Sequence, residues 1–322
     1  MFDGATTGQL ILILFVALAG LIFSGRYAIT YLSHVTKAFG VSEFTVAFII
    51  LAIATSLPEL FVGITSALKG ANDIILATAL GSNIINITFI TGLTALLSGG
   101  IGTTRLHIKR DFGIAGAITL LPLLFLLNGR IGRGEAVILL LVFAYYVFLL
   151  IKDQSHLPEE NPTKNIRHGV LYTVLTLLAV GVLIYASDTV VSSSVILAAT
   201  IGIPSFLIGL FLLSIGTSLP ELVTTLHSNK TGKPAMALGN IIGSNIANST
   251  LVIGVAALIH PIETTLHPTL VATMVSVIIA TGLIWYLASK GDSLSVFDGI
   301  KLLAAFFIFG IVILLTGGAA AI

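Results

Sequence analysis

The sequence predicts an all-α integral membrane protein, with ten transmembrane helices arranged as two inverted five-helix repeats. Three observations carry that prediction. The 322 residues are 56% hydrophobic and 9% charged, with a mean hydropathy of +1.10; ordinary globular domains carry about 25% charged residues. The apolar residues fall into ten runs of the order needed to cross a hydrocarbon core about 30 Å thick, which takes about 20 residues per helix. And the hexapeptide Thr-Ser-Leu-Pro-Glu-Leu occurs twice, at 55–60 and 217–222, each copy followed at the same distance by Gly-Ser-Asn-Ile, at 81–84 and 243–246, so that the offset is 162 throughout.

The ten runs, in order, are 8–36, 43–67, 73–98, 113–128, 134–152, 167–190, 203–227, 235–259, 268–288 and 295–317. The first follows Met-Phe-Asp-Gly, which has no basic stretch, so a long first helix is expected rather than a cleavable signal peptide. The second carries the first hexapeptide and Pro58; the third carries Gly81-Ser82-Asn83-Ile84. The fourth and fifth complete a first half, 1–152. The polar stretch 153–166, with Asp153, Pro158, Glu159, Glu160 and Pro162, is the linker. The sixth run opens the second half, 167–322. The seventh and eighth repeat the two motifs, with Pro220 and with Gly243-Ser244-Asn245-Ile246. The ninth and tenth complete the chain. Residues 41–90 align on 203–252 without a gap, with 18 identities in 50 positions. Five is odd, so the second half enters the membrane upside down, the construction common among secondary transporters.

The basic residues set the orientation. With the N-terminus outside, the inner loops hold twelve (Arg26, Lys37, Arg105, Lys109, Arg110, Lys152, Lys164, Arg167, Lys230, Lys233, Lys290 and Lys301). The outer loops hold three (Lys69, Arg130 and Arg133). Positive charge collects on the cytoplasmic side, which places both termini outside. The chain has no cysteine, which excludes disulfides and thiolate metal sites. The basic residues form no stripe for nucleic acid. Almost nothing remains outside the apolar runs, so the function belongs inside the bilayer, and no enzyme active site, cofactor or protein partner is implied.

Glu59 and Glu221 sit inside apolar runs, where an acid costs roughly 2.5–3.5 kcal/mol on insertion scales. Pro58 and Pro220 remove an N–H and leave the carbonyls of Ala54 and Gly216 without their helical partners, a state tolerated where the backbone lines a protein-enclosed polar site. Thr55 and Glu59 share a helix face at i, i+4, as do Ser82 and Asn86, Thr217 and Glu221, and Ser244 and Asn248. Each half thus offers carboxylate, hydroxyl, amide and loosened carbonyl oxygens. Such hard ligands suit calcium, which takes 6–8 oxygens, and sodium. His227 is expected at the interface. Gly81, Gly243, Ala77, Ala79 and Gly239 would permit close helix approach.

At these residues the chain resembles the cation/calcium exchanger superfamily, and within it the sodium/calcium exchangers of prokaryotes. The matching stretches are Ala52-Ile53-Ala54-Thr55-Ser56-Leu57-Pro58-Glu59 with Gly81-Ser82-Asn83-Ile84-Ile85-Asn86, and Ser214-Ile215-Gly216-Thr217-Ser218-Leu219-Pro220-Glu221 with Gly243-Ser244-Asn245-Ile246-Ala247-Asn248. The resemblance implies that Glu59 and Glu221 bind Ca²⁺ and also face Na⁺. It implies that Thr55 and Thr217 add backbone carbonyls, and that Ser56, Ser82, Ser218 and Ser244 serve flanking Na⁺ sites with the carbonyls of Ala52 and Ser214. Asn86 and Asn248 would complete the centre, and the long first and sixth helices would slide to alternate access. Two departures stand out. The residue before the first threonine is Ala54, where the family usually has Gly. Asn at both 86 and 248 looks like potassium-independent exchange. Arg26 and its repeat mate Asp188 are open to three readings, a salt bridge, a gate or two interfacial charges; the favoured expectation places them at opposite entrances, each gating its own.

The reading is therefore a secondary antiporter exchanging Na⁺ for Ca²⁺ across a lipid bilayer. The alternative is H⁺/Ca²⁺ antiport on the same glutamates, since a buried carboxyl can carry a proton. A cation channel is disfavoured by the repeat, and a scaffold or sensor by the lack of any soluble domain.

Overall fold

The computed structural model describes residues 6–38, 56–102, 106–154 and 166–319. Nearly all of them are helical. In the first half these are α1 (Thr7–Ala38), α2 (Leu57–Leu68), α3 (Asn72–Ser98), α4 (Leu106–Phe125) and α5 (Arg133–Gln154). The second half begins with α6 (Ile166–Ile201), followed by α7, residues 205–217, and α8 (Leu219–Lys230). It closes with α9 (Pro234–Ile259), α10 (Pro268–Ser289) and α11 (Val296–Ala319). Among the described residues, seven helical spans are long and apolar enough to cross a membrane, and Leu57–Leu68 and Phe112–Asn128 are shorter apolar helices.

The boundaries recur with the sequence offset. The helix Leu57–Leu68 answers to Leu219–Lys230, and Asn72–Ile84 to Pro234–Ile246. The π-helical turns Ile85–Ile90 and Ala247–Val252 interrupt α3 and α9 at matching places. In both turns a threonine hydroxyl donates back one turn, Thr88 to the Ile84 carbonyl at 2.6 Å and Thr250 to the Ile246 carbonyl at 2.5 Å. A third π turn, Ile208–Leu213, lies in α7.

The described residues also form four two-residue strands within this otherwise helical architecture. Strand β1 (Ile101–Gly102) pairs antiparallel with β4 (Ser293–Leu294), and β2 (Arg130–Ile131) with β3 (Ile262–Glu263). The second clip also carries an ion pair, Arg130 Nε to Glu263 Oε1 at 3.4 Å. Between the clips α4 and α10 run antiparallel in close contact, Gly113 against Trp285 and Gly116 against Thr281.

Two apolar clusters organise the interior. The larger gathers α3, α4, α5, α7, α9, α10 and α11. At its centre α3 is almost wholly buried, and glycines let its neighbours close in: a Cβ on Gly92 would lie 2.8 Å from the Gly299 carbonyl. The smaller cluster joins α1 to α6, with Val62 of α2 and Ile74, Ile208 and Leu213 at its edge. Gly20 faces Ala186, Gly25 faces Leu183, and the His34 ring stacks on Tyr172 at 4.4 Å, so α1 and α6 are antiparallel. Their outer faces, with Leu12, Phe15, Val16, Leu177 and Leu178, are exposed and apolar, as a lipid-facing surface must be.

Run 167–190 is longer than expected: α6 continues to Ile201. Thr189, Ser193 and Thr200 look like the polar end of a helix, but each hydroxyl donates to the carbonyl four residues back, which lets the helix run on. Run 203–227 is in turn broken at Ser218. Between α2 and α6 lies a vestibule of about 650 Å³ lined by Lys69, Asn72, Asp73, Ser192, Ser205 and Glu263.

Candidate cation site

From Ser56 and Ser218 onward the two motifs fold the same way. Pro58 and Pro220 stand within the first two residues of α2 and α8, where proline's missing N–H costs nothing. The residue ahead leaves helical geometry, Ser56 at φ −88°, ψ 8° and Ser218 at φ −85°, ψ 4°. Their carbonyls accept the first helical N–H groups, from Leu60 at 3.0 Å and Leu222 at 3.1 Å. Neither serine side chain caps its helix, so both hydroxyls are left for other partners. These helix starts put Glu59 and Glu221 in the first turn of their helices, where the positive end of the helix dipole favours a carboxylate.

Glu59 is 1% and Glu221 0% exposed. Glu59 Oε1 accepts from Ser82 Oγ at 3.4 Å and from Ser218 Oγ at 3.5 Å. Thr217 lies beside the Glu59 carboxylate. Glu221 Oε1 accepts from Ser244 Oγ at 3.5 Å. The Glu59 carboxylate is therefore surrounded by hydroxyls from both halves of the chain, while its Oε2 is buried with no hydrogen-bond partner. The Ser56 hydroxyl is likewise buried and open.

The asparagines lie in the two π turns. Asn86 donates through Nδ2 to Asn245 Oδ1 at 3.1 Å, and its own Oδ1 is buried without a partner. Both amide atoms of Asn248 are open. Ser214 spends its hydroxyl on the Gly209, Thr78 and Ala77 carbonyls at 2.9, 3.1 and 3.3 Å. Its carbonyl accepts from the Ser218 N–H at 3.1 Å and the Thr217 hydroxyl at 3.5 Å. Thr55 and Ala52 lie outside the described residues. The remaining motif positions, Ser56, Ser82, Asn86, Ser214, Thr217, Ser218, Ser244 and Asn248, are all 1% exposed or less.

The close-packing expectation holds for Gly81. A Cβ there would collide with the Ser214 hydroxyl and lie 2.9 Å from the Leu210 carbonyl. It fails for Gly239, where an added Cβ meets nothing within 4 Å. His227 is exposed, as expected.

Sequence reasoning missed the partners of Asp188. Lys69 Nζ pairs with Asp188 Oδ1 at 2.6 Å and also donates to the Asp188 carbonyl at 3.2 Å and to the Ser192 hydroxyl. Beside it Thr65 and Ser187 share a hydrogen bond at 2.6 Å. Both contacts tie α2 to α6 near the vestibule. Arg26 lies across from about residue 182 of the antiparallel partner, some 9 Å from the level of Asp188 at 1.5 Å per residue. No sequence signal linked positions 69 and 188, which carry no shared motif.

Comparison with known proteins follows from this geometry. The model of the family described as sodium/calcium exchanger protein matches residues 9–152 and 171–315. The chain is 35% identical to the putative antiporter CaxA of Alkalimonas amylolytica over 254 residues, 76% of this chain and 79% of that protein. It is 29% identical to the sodium/calcium exchanger MaX1 of Methanosarcina acetivorans, covering 94% of this chain and 97% of that one. Its fold is similar to that of the sodium-calcium exchanger NCX_Mj, at 25% identity and a TM-score of 0.65, over 94% of this chain and 98% of that one.

Proposed function

The chain belongs to the sodium/calcium exchanger protein family, a family of membrane transporters, and from that premise we propose that it exchanges Na⁺ for Ca²⁺ by alternating access. The observation that carries the reading is the Glu59 carboxylate, buried in the first turn of its helix and surrounded by Ser82, Ser218 and Thr217. With Glu221 it gives the interior a formal charge of −2, which one Ca²⁺ or two Na⁺ balances; a third Na⁺ makes the exchange electrogenic. Oxygen ligands in flexible array fit calcium. Ser56, Ser244, Asn86 and Asn248 add further oxygens, Thr55 and Thr217 backbone carbonyls, and the carbonyls of Ala52 and Ser214 border the sodium positions.

The proposed frame is ten spans in two inverted halves, 1–152 and 167–322, with both termini outside the inner membrane. The recurring helix boundaries and the antiparallel α1–α6 pair support it, and that pair is the element that slides. The test is ⁴⁵Ca²⁺ uptake into proteoliposomes. An outward Na⁺ gradient is expected to drive it; uptake driven by a pH gradient alone would overturn sodium coupling in favour of proton antiport.

Asn248→Asp tests the centre. A third carboxylate beside two others favours capture of a proton or another monovalent cation. Ca²⁺ uptake is therefore expected to become dependent on pH or on K⁺, measured as initial rates across both. Unchanged dependence would place position 248 away from the ions.

A further inference from the structure

The two halves differ in one respect that bears on the site. Asn83 and Asn245 are repeat mates, as are Asn86 and Asn248, and Ile87 and Ser249. A two-fold arrangement would join Asn86 to Asn245 and Asn248 to Asn83. Only the first contact forms, Asn86 Nδ2 to Asn245 Oδ1 at 3.1 Å. The second is replaced. Asn83 donates through Nδ2 to the Ser249 hydroxyl at 2.8 Å, and Ser249 donates on to the Thr119 carbonyl of α4 at 3.1 Å. The Asn83 Oδ1 and both amide atoms of Asn248 are then buried and open. The substitution responsible is plain: the first half has Ile87, which offers no hydroxyl to hold Asn245 back.

An asparagine amide has an acceptor end and a donor end, and a cation requires the acceptor. Committing Nδ2 to a neighbour fixes which end faces the other way. We propose that Asn245 is a positioning residue for the cation site, clamping the Asn86 amide so that its carbonyl oxygen is the group presented to the ion, while Ser249 withholds the same clamp from Asn248. The site then has one amide held as an acceptor, on the π turn one helical turn beyond Ser82, and one free to rotate. The proposal rests on the reading of the Glu59–Glu221 region as the cation site.

The experiment is Ca²⁺ binding to the purified full-length chain by titration calorimetry, a readout independent of exchange. Asn245→Ala is expected to raise the Ca²⁺ dissociation constant about fivefold, the worth of one hydrogen bond of about 1 kcal/mol. In an Asn86→Asp background the same change is expected to shift binding less than about twofold, because the two carboxylate oxygens are equivalent and need no clamp. Equal shifts in both backgrounds, or no shift in the single variant, overturn the proposal. Asn245→Leu, close in volume and without an acceptor, repeats the cycle should the smaller side chain leave the protein unfolded. A wild-type chain that binds no Ca²⁺ overturns the cation-site reading and the clamp with it; normal wild-type binding with an unaffected Asn245→Ala removes the clamp alone.

Discussion

Glu59→Gln and Glu221→Gln are each expected to reduce Ca²⁺ uptake at least about a hundredfold while leaving a folded protein. Unit charges 4 Å apart interact by about 4 kcal/mol at an effective dielectric constant of 20, and a divalent ion doubles the stake. Desolvation takes back part of this, and about 3 kcal/mol net corresponds to a hundredfold. Glutamine keeps the side-chain volume and can still accept from Ser82, Ser218 or Ser244, so the helix starts after Ser56 and Ser218 persist. Thermal unfolding in detergent is expected to match the wild type within a few degrees. Uptake near the wild-type rate in either variant removes that glutamate from the site.

Gly81→Val is expected to abolish transport for a different reason. The new Cβ would strike the Ser214 hydroxyl and approach the Leu210 backbone carbonyl at 2.9 Å, so α3 and α7 must separate. Overpacking of this kind costs about 1–3 kcal/mol. The larger effect is geometric. Ser82 is the next residue on α3, Ser218 follows α7, and both reach the same oxygen of Glu59; displacing one helix by about 1 Å disperses the group, a misplacement that can cost about a hundredfold in rate. Gly239→Ala is the control, in open space, and is expected to change neither uptake nor unfolding temperature. Equal behaviour of the two variants would show that the contact at Gly81 does not set the site.

Much of this was legible in the sequence because the features were local or repeated. Runs 73–98, 134–152, 235–259 and 268–288 lie within two residues of α3, α5, α9 and α10, since unbroken apolar stretches in lipid have helix as their outlet for backbone hydrogen bonds. The doubled hexapeptide singled out Glu59 and Ser218, which the structure buries in contact. What escaped depended partly on partners distant in the chain and partly on local bonds that composition does not display. The strand clips are two residues long and have no alternating pattern to read. The extension of α6 past Thr189 rests on hydroxyls bonding back to the helix, which composition presents as a helix end. The inequality of Asn86 and Asn248 follows from Ile87 against Ser249, whose hydroxyl takes the Asn83 amide and is itself oriented by the carbonyl of Thr119, a residue in neither motif. Run 203–227 reads as one apolar stretch, but Pro220 stands at the start of a new helix after Ser218.

The reciprocal strand clips have a consequence for where the molecule can breathe. β1 with β4 and β2 with β3 fasten the antiparallel pair α4 and α10 at both ends, whereas α1 and α6 rest chiefly on each other and on one edge of α2 and α7. Amide hydrogens report such differences, since a segment exchanges through whichever opening costs least. Deuterium should enter α1 and α6 early and α4 and α10 last, with α3 and α9 near the slow end. A time course of that shape would divide the protein into a slow frame and a fast pair, with the two glutamates carried on helices that touch both.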